Sequence, residues 1–118
     1  MERITDERGT IETIAEGDFK TVQIITSKKG AVRANHWHRT DSHVMHILSG
    51  RARYVETMTD GEAGIVKDYI YGPGDSIETP PLNPHAMEFL EDTVLICCSK
   101  NARNFDTYMA DIVRVKLI

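Results

Sequence analysis

The chain has 118 residues, 41% hydrophobic and 27% charged, with a formal net charge of −4. That fits one globular domain, residues 1–118, with a modest core, because a chain of this size buries roughly two-thirds of its unfolded surface. Acids and bases are mixed with no basic run to track phosphates, and the longest apolar run, 94–98, is far short of the ~20 residues of a membrane span, so neither nucleic acid nor a membrane is an expected partner.

The chain opens on Met1-Glu2-Arg3-Ile4-Thr5-Asp6, which lacks the apolar stretch of a secretory leader. Short β-type runs follow at 9–15, 21–26, 31–37, 42–49, 51–59, 65–71, 76–79, 85–90, 93–99 and 111–117. Turn signals separate them: Lys28-Lys29-Gly30, Ser49-Gly50, Thr59-Asp60-Gly61, Gly72-Pro73-Gly74-Asp75, Pro80-Pro81 and Glu91-Asp92. Asp60-Gly61 is a hairpin signal within a longer loop. Only 101–110 suits a short helical turn. With no room for crossover helices, the expected fold is all-β, an antiparallel sandwich or barrel. Cys97 and Cys98 are sequence neighbours, so on a strand they point to opposite faces and are poor disulfide partners. One should face inward and pack. A reducing, cytoplasmic location is the simplest expectation.

Five histidines are present, four of them between 36 and 46. His36 and His38 lie two apart, on one face of a strand, about 6.6 Å apart at a rise of ~3.3 Å per residue. His43 opens the next run and can add a third imidazole. His85 opens another strand after the stiff corner Pro80-Pro81-Leu82-Asn83-Pro84. Imidazole nitrogens bind zinc, iron, copper or nickel. A histidine in a strand is more often a surface or satisfied core residue, and spacing alone leaves both readings open. His46, three positions after His43, turns to the opposite face, and Trp37 faces away from its flanking histidines. Met45 shares the His43 face, and Met87 and Phe89 share the His85 face. These three suit an apolar pocket wall around a small-molecule substrate. Candidates for acid–base groups are Glu78, Tyr54 and Tyr69. A buried Glu78 would have a raised pKa, although exposure at a rim is the commoner state.

Gly30, His36, His38, His43 and Gly50 have the spacing of the first motif of the cupin family, which the segment 30–50 resembles. Gly74, Pro80 and His85 match the second motif, in the segment 74–89, where Leu82 and Phe89 replace the usual Gly and Asn. The resemblance implies a single cupin-type antiparallel β-barrel, or jelly roll, holding one divalent metal on His36, His38, His43 and His85. His43 stands where the family has Glu. Four neutral ligands leave the ion's charge uncompensated, which favours zinc, nickel, iron or copper, zinc and nickel foremost. The alternative for His43 is that it only lines the pocket.

Asp6-Glu7-Arg8-Gly9 and Val32-Arg33-Ala34-Asn35-His36-Trp37-His38 are similar to segments of sugar-nucleotide cupins, where Ala34 is usually Gly. By that resemblance Arg33 contacts a diphosphate, and the activity is a metal-dependent epimerisation or isomerisation of a carbohydrate or sugar nucleotide. The alternatives are a metal-dependent dioxygenase of a small organic substrate and a non-catalytic metal- or ligand-binding module. Cupin barrels commonly pair edge to edge, which implies a homodimer through 11–14 and 21–26.

Overall fold

The computed structural model describes residues 2–58 and 64–118. The hairpin signal Asp60-Gly61 lies outside them, as does the end of the 51–59 run. The described chain forms a short N-terminal hairpin, β1 (Arg3–Asp6) and β2 (Gly9–Glu12), then β3 (Thr21–Ser27), β4 (Val32–His38), β5 (His43–Ser49), β6 (Ala52–Thr57), β7 (Ile65–Tyr71), β8 (Ser76–Thr79), β9 (His85–Phe89) and β10 (Thr93–Ser99). Helix α1 (Phe105–Asp111) and β11 (Ile112–Arg114) follow.

The strands pair antiparallel into a four-stranded sheet, β3-β10-β5-β8, and a five-stranded sheet, β11-β4-β9-β6-β7. Their inner faces meet in one core of Met45, Ile47, Ala52, Tyr54, Ile77, Met87, Phe89, Leu95 and Cys97. Each large apolar side chain buried there contributes about 1.5–3 kcal/mol. The arrangement is the expected jelly roll, although the two ladders do not join into a closed barrel.

Eight of the strand positions agree closely with the alternating runs. β1 escapes the pattern because all four of its residues are exposed, so no apolar–polar alternation marks it. β2 ends at Glu12 rather than 15, and β11 is shorter than 111–117. The helical turn forms at Phe105–Asp111, capped by Asn104, whose Oδ1 accepts from the Thr107 amide at 3.0 Å.

Two local features aim the histidines. Ala34 and Asn35 take left-handed backbone, with φ of 67° and 52°, and form a bulge in β4. The register shift there sets His36 opposite His85 on β9. Asn35 tolerates this conformation, and its Oδ1 accepts from the Leu117 and Ile118 amides. Gly50 also has positive φ, at 91°, and a Cβ there would run into the Asp92 carbonyl and Thr93. That close approach explains the final glycine of the first motif.

Candidate functional site

A cavity of about 710 Å³ opens between the sheets. His36 and His38 reach it from β4, His43 from β5 and His85 from β9, and all four are buried. Nitrogen atoms of His36, His38 and His85 lie within 4.8 Å of one another. His43 stands outside that set, its ring centroid 5.5 Å from those of both His38 and His85.

The surroundings make these imidazoles neutral at pH 7. Burial, with His85 and His38 nearby, lowers the His36 pKa to about 3. Burial lowers His85 to about 4, opposed by its hydrogen bond to Asn83. His38 is lowered by burial, partly offset by Asp111, and His43 is pushed well below the ordinary value by burial.

Two of the rings have their orientation fixed. His38 donates from Nδ1 to Asp111 Oδ2 at 2.9 Å, and His85 donates from Nδ1 to the Asn83 carbonyl at 2.9 Å. Each therefore keeps a lone pair on Nε2. Among the described residues, Nδ1 of His36 and Nδ1 of His43 are buried without a hydrogen-bond partner. Neutral rings, anchored outer nitrogens and an orphaned nitrogen on His36 are what a soft or borderline metal ion requires of its ligands. The residues fit such an ion on His36, His38 and His85. One cation stands in the way: Arg103 Nη2 lies 3.5 Å from His38 Nε2. Asp41, itself buried, holds that guanidinium by accepting from Nε at 2.9 Å. Loading a metal requires the guanidinium to swing away from His38.

The predicted pocket residues Arg33, Met45, Met87 and Phe89 all line the cavity. The three acid–base candidates do not. Glu78 is exposed on the outer face of β8, because Ile77 and Thr79 take the inward positions. Tyr69 is 57% exposed on the edge strand β7. Tyr54 is fully buried behind the histidines, its hydroxyl engaged with Glu56 and Thr79 at 2.7 Å each. His46 turns to the outer face, with Nδ1 2.8 Å from Ser76 Oγ, and Trp37 is half-buried beneath the Arg39 guanidinium. Cys97 faces the cavity and Cys98 the other side, both as free thiols.

The residues missing from the sequence reading sit on or beside α1. Tyr108 stands over the cluster, its ring centroid 6.0 Å from that of His36 and 6.2 Å from that of His38. Arg103 stacks on its face at 5.4 Å. Arg103, Arg114 and Arg33 all oppose the rise in the Tyr108 pKa that burial produces, so three guanidinium fields converge on this hydroxyl. Asp111 ends the helix. The signal was the spacing Tyr108 to Asp111, three residues apart on one helix face. Within a seven-residue helix that period is too short to stand out.

No curated protein matches this sequence. The Cupin domain family profile matches residues 23–98. Among solved structures, the chain is similar to a double mutant of the QdtA 3,4-ketoisomerase from Thermoanaerobacterium thermosaccharolyticum in complex with TDP. The identity is 25% and the TM-score 0.71, covering 96% of this chain and 82% of that one. A 3,4-ketoisomerase from Helicobacter canadensis is similar at 20% identity and a TM-score of 0.73, with 96% and 85% covered. The capsular polysaccharide assembling protein CapF from Staphylococcus aureus matches at 20% identity and a TM-score of 0.68 over 98% of this chain. The match spans about a third of CapF, 32% of its length. No helix among the described residues is long and apolar enough to cross a membrane.

Proposed function

The chain belongs to the cupin family, and on that premise we propose that it is a metal-dependent isomerase or epimerase of a sugar nucleotide, working as a homodimer. The observation that carries the reading is the cavity itself. Neutral imidazoles line it, Arg33 and Arg114 stand among its lining residues, and among the described residues no carboxylate side chain lines it. Arg33 and Arg114 form no ion pair among the described residues. Each instead donates to backbone carbonyls, Arg33 to Thr26 and Arg114 to Ala34, which leaves their charge available to a diphosphate.

In this reading His36, His38 and His85 hold one ion, zinc or nickel foremost. When bound it supplies Lewis-acid polarisation of a carbonyl oxygen. His43, outside the trio and neutral, takes a proton from the carbon beside that carbonyl. The Tyr108 hydroxyl keeps its proton, because burial raises its pKa, gives it to the carbonyl oxygen as the enediol forms, and takes one back from the enediol when His43 returns its proton to carbon. Met45, Met87 and Phe89 exclude water from the reacting carbons. The solved 3,4-ketoisomerase with TDP bound supports the choice of a nucleoside-diphosphate sugar.

Metal analysis of protein purified without added metal, followed by titration with TDP and with TDP-4-keto-6-deoxyglucose, whose keto group makes the neighbouring carbon acidic, tests this. About one equivalent of zinc or nickel and a TDP affinity lost on Arg33→Ala are expected. His43→Gln should retain the metal and lose solvent-proton exchange into the sugar. Protein that binds no nucleotide and no sugar nucleotide sinks the substrate assignment. Iron with substrate-dependent oxygen uptake would replace it with the dioxygenase.

A further inference from the structure

Glu56 is a buried carboxylate that the chemistry above does not use. It projects from β6 opposite His85 on β9 and is 2% exposed. Its Oε1 accepts from the Tyr54 hydroxyl at 2.7 Å, and its Oε2 accepts from Asn83 Nδ2 at 3.0 Å. Lys67 Nζ is 3.9 Å from Oε1 and partly exposed, a loose partner for so buried a charge. An acid kept there at a desolvation cost, where an apolar side chain would pack, calls for a role.

We infer that Glu56 is a positioning residue that sets the tautomer and orientation of His85. Both groups it holds touch that ring. The Asn83 carbonyl accepts the His85 Nδ1 proton at 2.9 Å, and the side chain of the same asparagine is tied to Glu56. The Tyr54 ring lies alongside His85, with centroids 6.1 Å apart and planes 25° from parallel. A single carboxylate therefore fixes the acceptor at one nitrogen and the wall beside the ring. The backbone around Asn83 is pinned at its ends, where the Leu82 amide donates to the His38 carbonyl and the Thr57 amide to the Pro84 carbonyl. The side-chain bond to Glu56 adds a hold on Asn83 itself, the residue whose carbonyl takes the His85 proton. With Nδ1 protonated, the Nε2 lone pair is left for the cavity. The inference rests on the reading of His85 as a working cavity residue, but it predicts a property of the metal-free protein.

The test is long-range ¹H–¹⁵N spectroscopy of the histidine rings in metal-free protein at neutral pH. Wild type should show His85 as one tautomer, protonated at Nδ1. Glu56→Ala and Asn83→Ala should each give a mixture at His85 and leave His38, which Asp111 anchors, unchanged. Glu56→Gln should keep the wild-type signal, because the Tyr54 hydroxyl can accept from the new amide while donating to Thr79. Cobalt titration of the same proteins should show about a tenfold or greater loss for the two alanine variants. Folded variants with a single unshifted His85 tautomer would overturn the inference. If Glu56→Ala does not fold, Asn83→Ala decides alone. A shifted tautomer in a protein that takes up no cobalt would uphold the positioning role and reject the metal.

Discussion

Asp111 accepts from four groups: His38 Nδ1, the Thr40 amide, the Thr40 hydroxyl and the Asp41 amide. Burial alone would raise its pKa, but these donors outweigh it and hold the carboxyl below the usual range. Asp111→Asn offers one acceptor oxygen. With that oxygen on the Thr40 pair, the amide NH₂ faces His38, which must then carry its proton on Nε2, toward the cavity. Metal affinity should fall about 10–100-fold with little loss of fold. Competition against a chromophoric chelator measures it, and an affinity within twofold of wild type would refute the assignment. The same burial that readies the histidines makes them acid-sensitive. His36 and His85, with pKa values near 3 and 4, stay neutral in the folded chain, whereas in the unfolded chain they charge below about 6.5. The unfolded state therefore binds more protons as pH falls, and stability drops with it. Their contribution is complete above pH 6.5 and declines down to about 4 for His85 and 3 for His36. Each should cost about 2 kcal/mol between pH 7 and 5. Urea unfolding of chelator-treated protein at those two pH values reads this out, and His36→Gln should flatten the dependence. A stability unchanged between them would show that the rings are hydrated.

At the scale of elements, the bulge in β4 is a strained joint with a simple repair. Ala34 sits at φ 67°, which a Cβ disfavours by about 1–2 kcal/mol, and its side chain is only half-buried. Ala34→Gly removes that penalty and gives part of it back as unfolded-chain entropy. A net gain of about 0.5–1 kcal/mol is expected in urea unfolding, with the histidines still in register. A loss would mean that the Ala34 methyl packs better than its exposure implies. The joint also shows where sequence reading works. The Gly30 to Gly50 spacing, with the alternation of β4 and β5, put His36, His38, His43 and Met45 on inner faces, because a strand has a rigid period of two. The proline corner marked His85 for the same reason. Arg103, Tyr108 and Asp111 are illegible, because they arrive from a short helix and the turn before it, whose placement depends on the packed sheets. Glu56 and Glu78 show the complementary limit. Both sit in β-type runs, and only the strand register makes the first buried and the second exposed.

At the scale of the whole molecule, charge and edges are both unevenly distributed. Among the described residues, a chain of net charge −4 places no carboxylate in the wall of this cavity while three arginines line it, a field that gathers anions from an otherwise repelling surface. Its unpaired strand edges are concentrated apolar surface. β3 ends the four-stranded sheet and exposes Val22 and Ile24, at 64% and 72%, and the β1–β2 hairpin exposes Ile11 at 71%. An edge strand with two outward apolar side chains and no bulge or proline to blunt it is a template for pairing. A second copy covering β3 and the hairpin by two-fold symmetry would bury these residues at once, which is the basis of the proposed homodimer. The interface would also bear on the cavity, because Gln23, Ile24 and Ile25 form part of its wall. Sedimentation equilibrium at micromolar concentration should therefore give twice the 13.3 kDa chain mass. Ile24→Lys should give a folded monomer, since the side chain is largely exposed within the chain. A wild-type monomer at that concentration rejects the dimer. A dimeric Ile24→Lys protein moves the interface away from β3, to edges such as β7 where Ile65, Tyr69 and Ile70 are exposed.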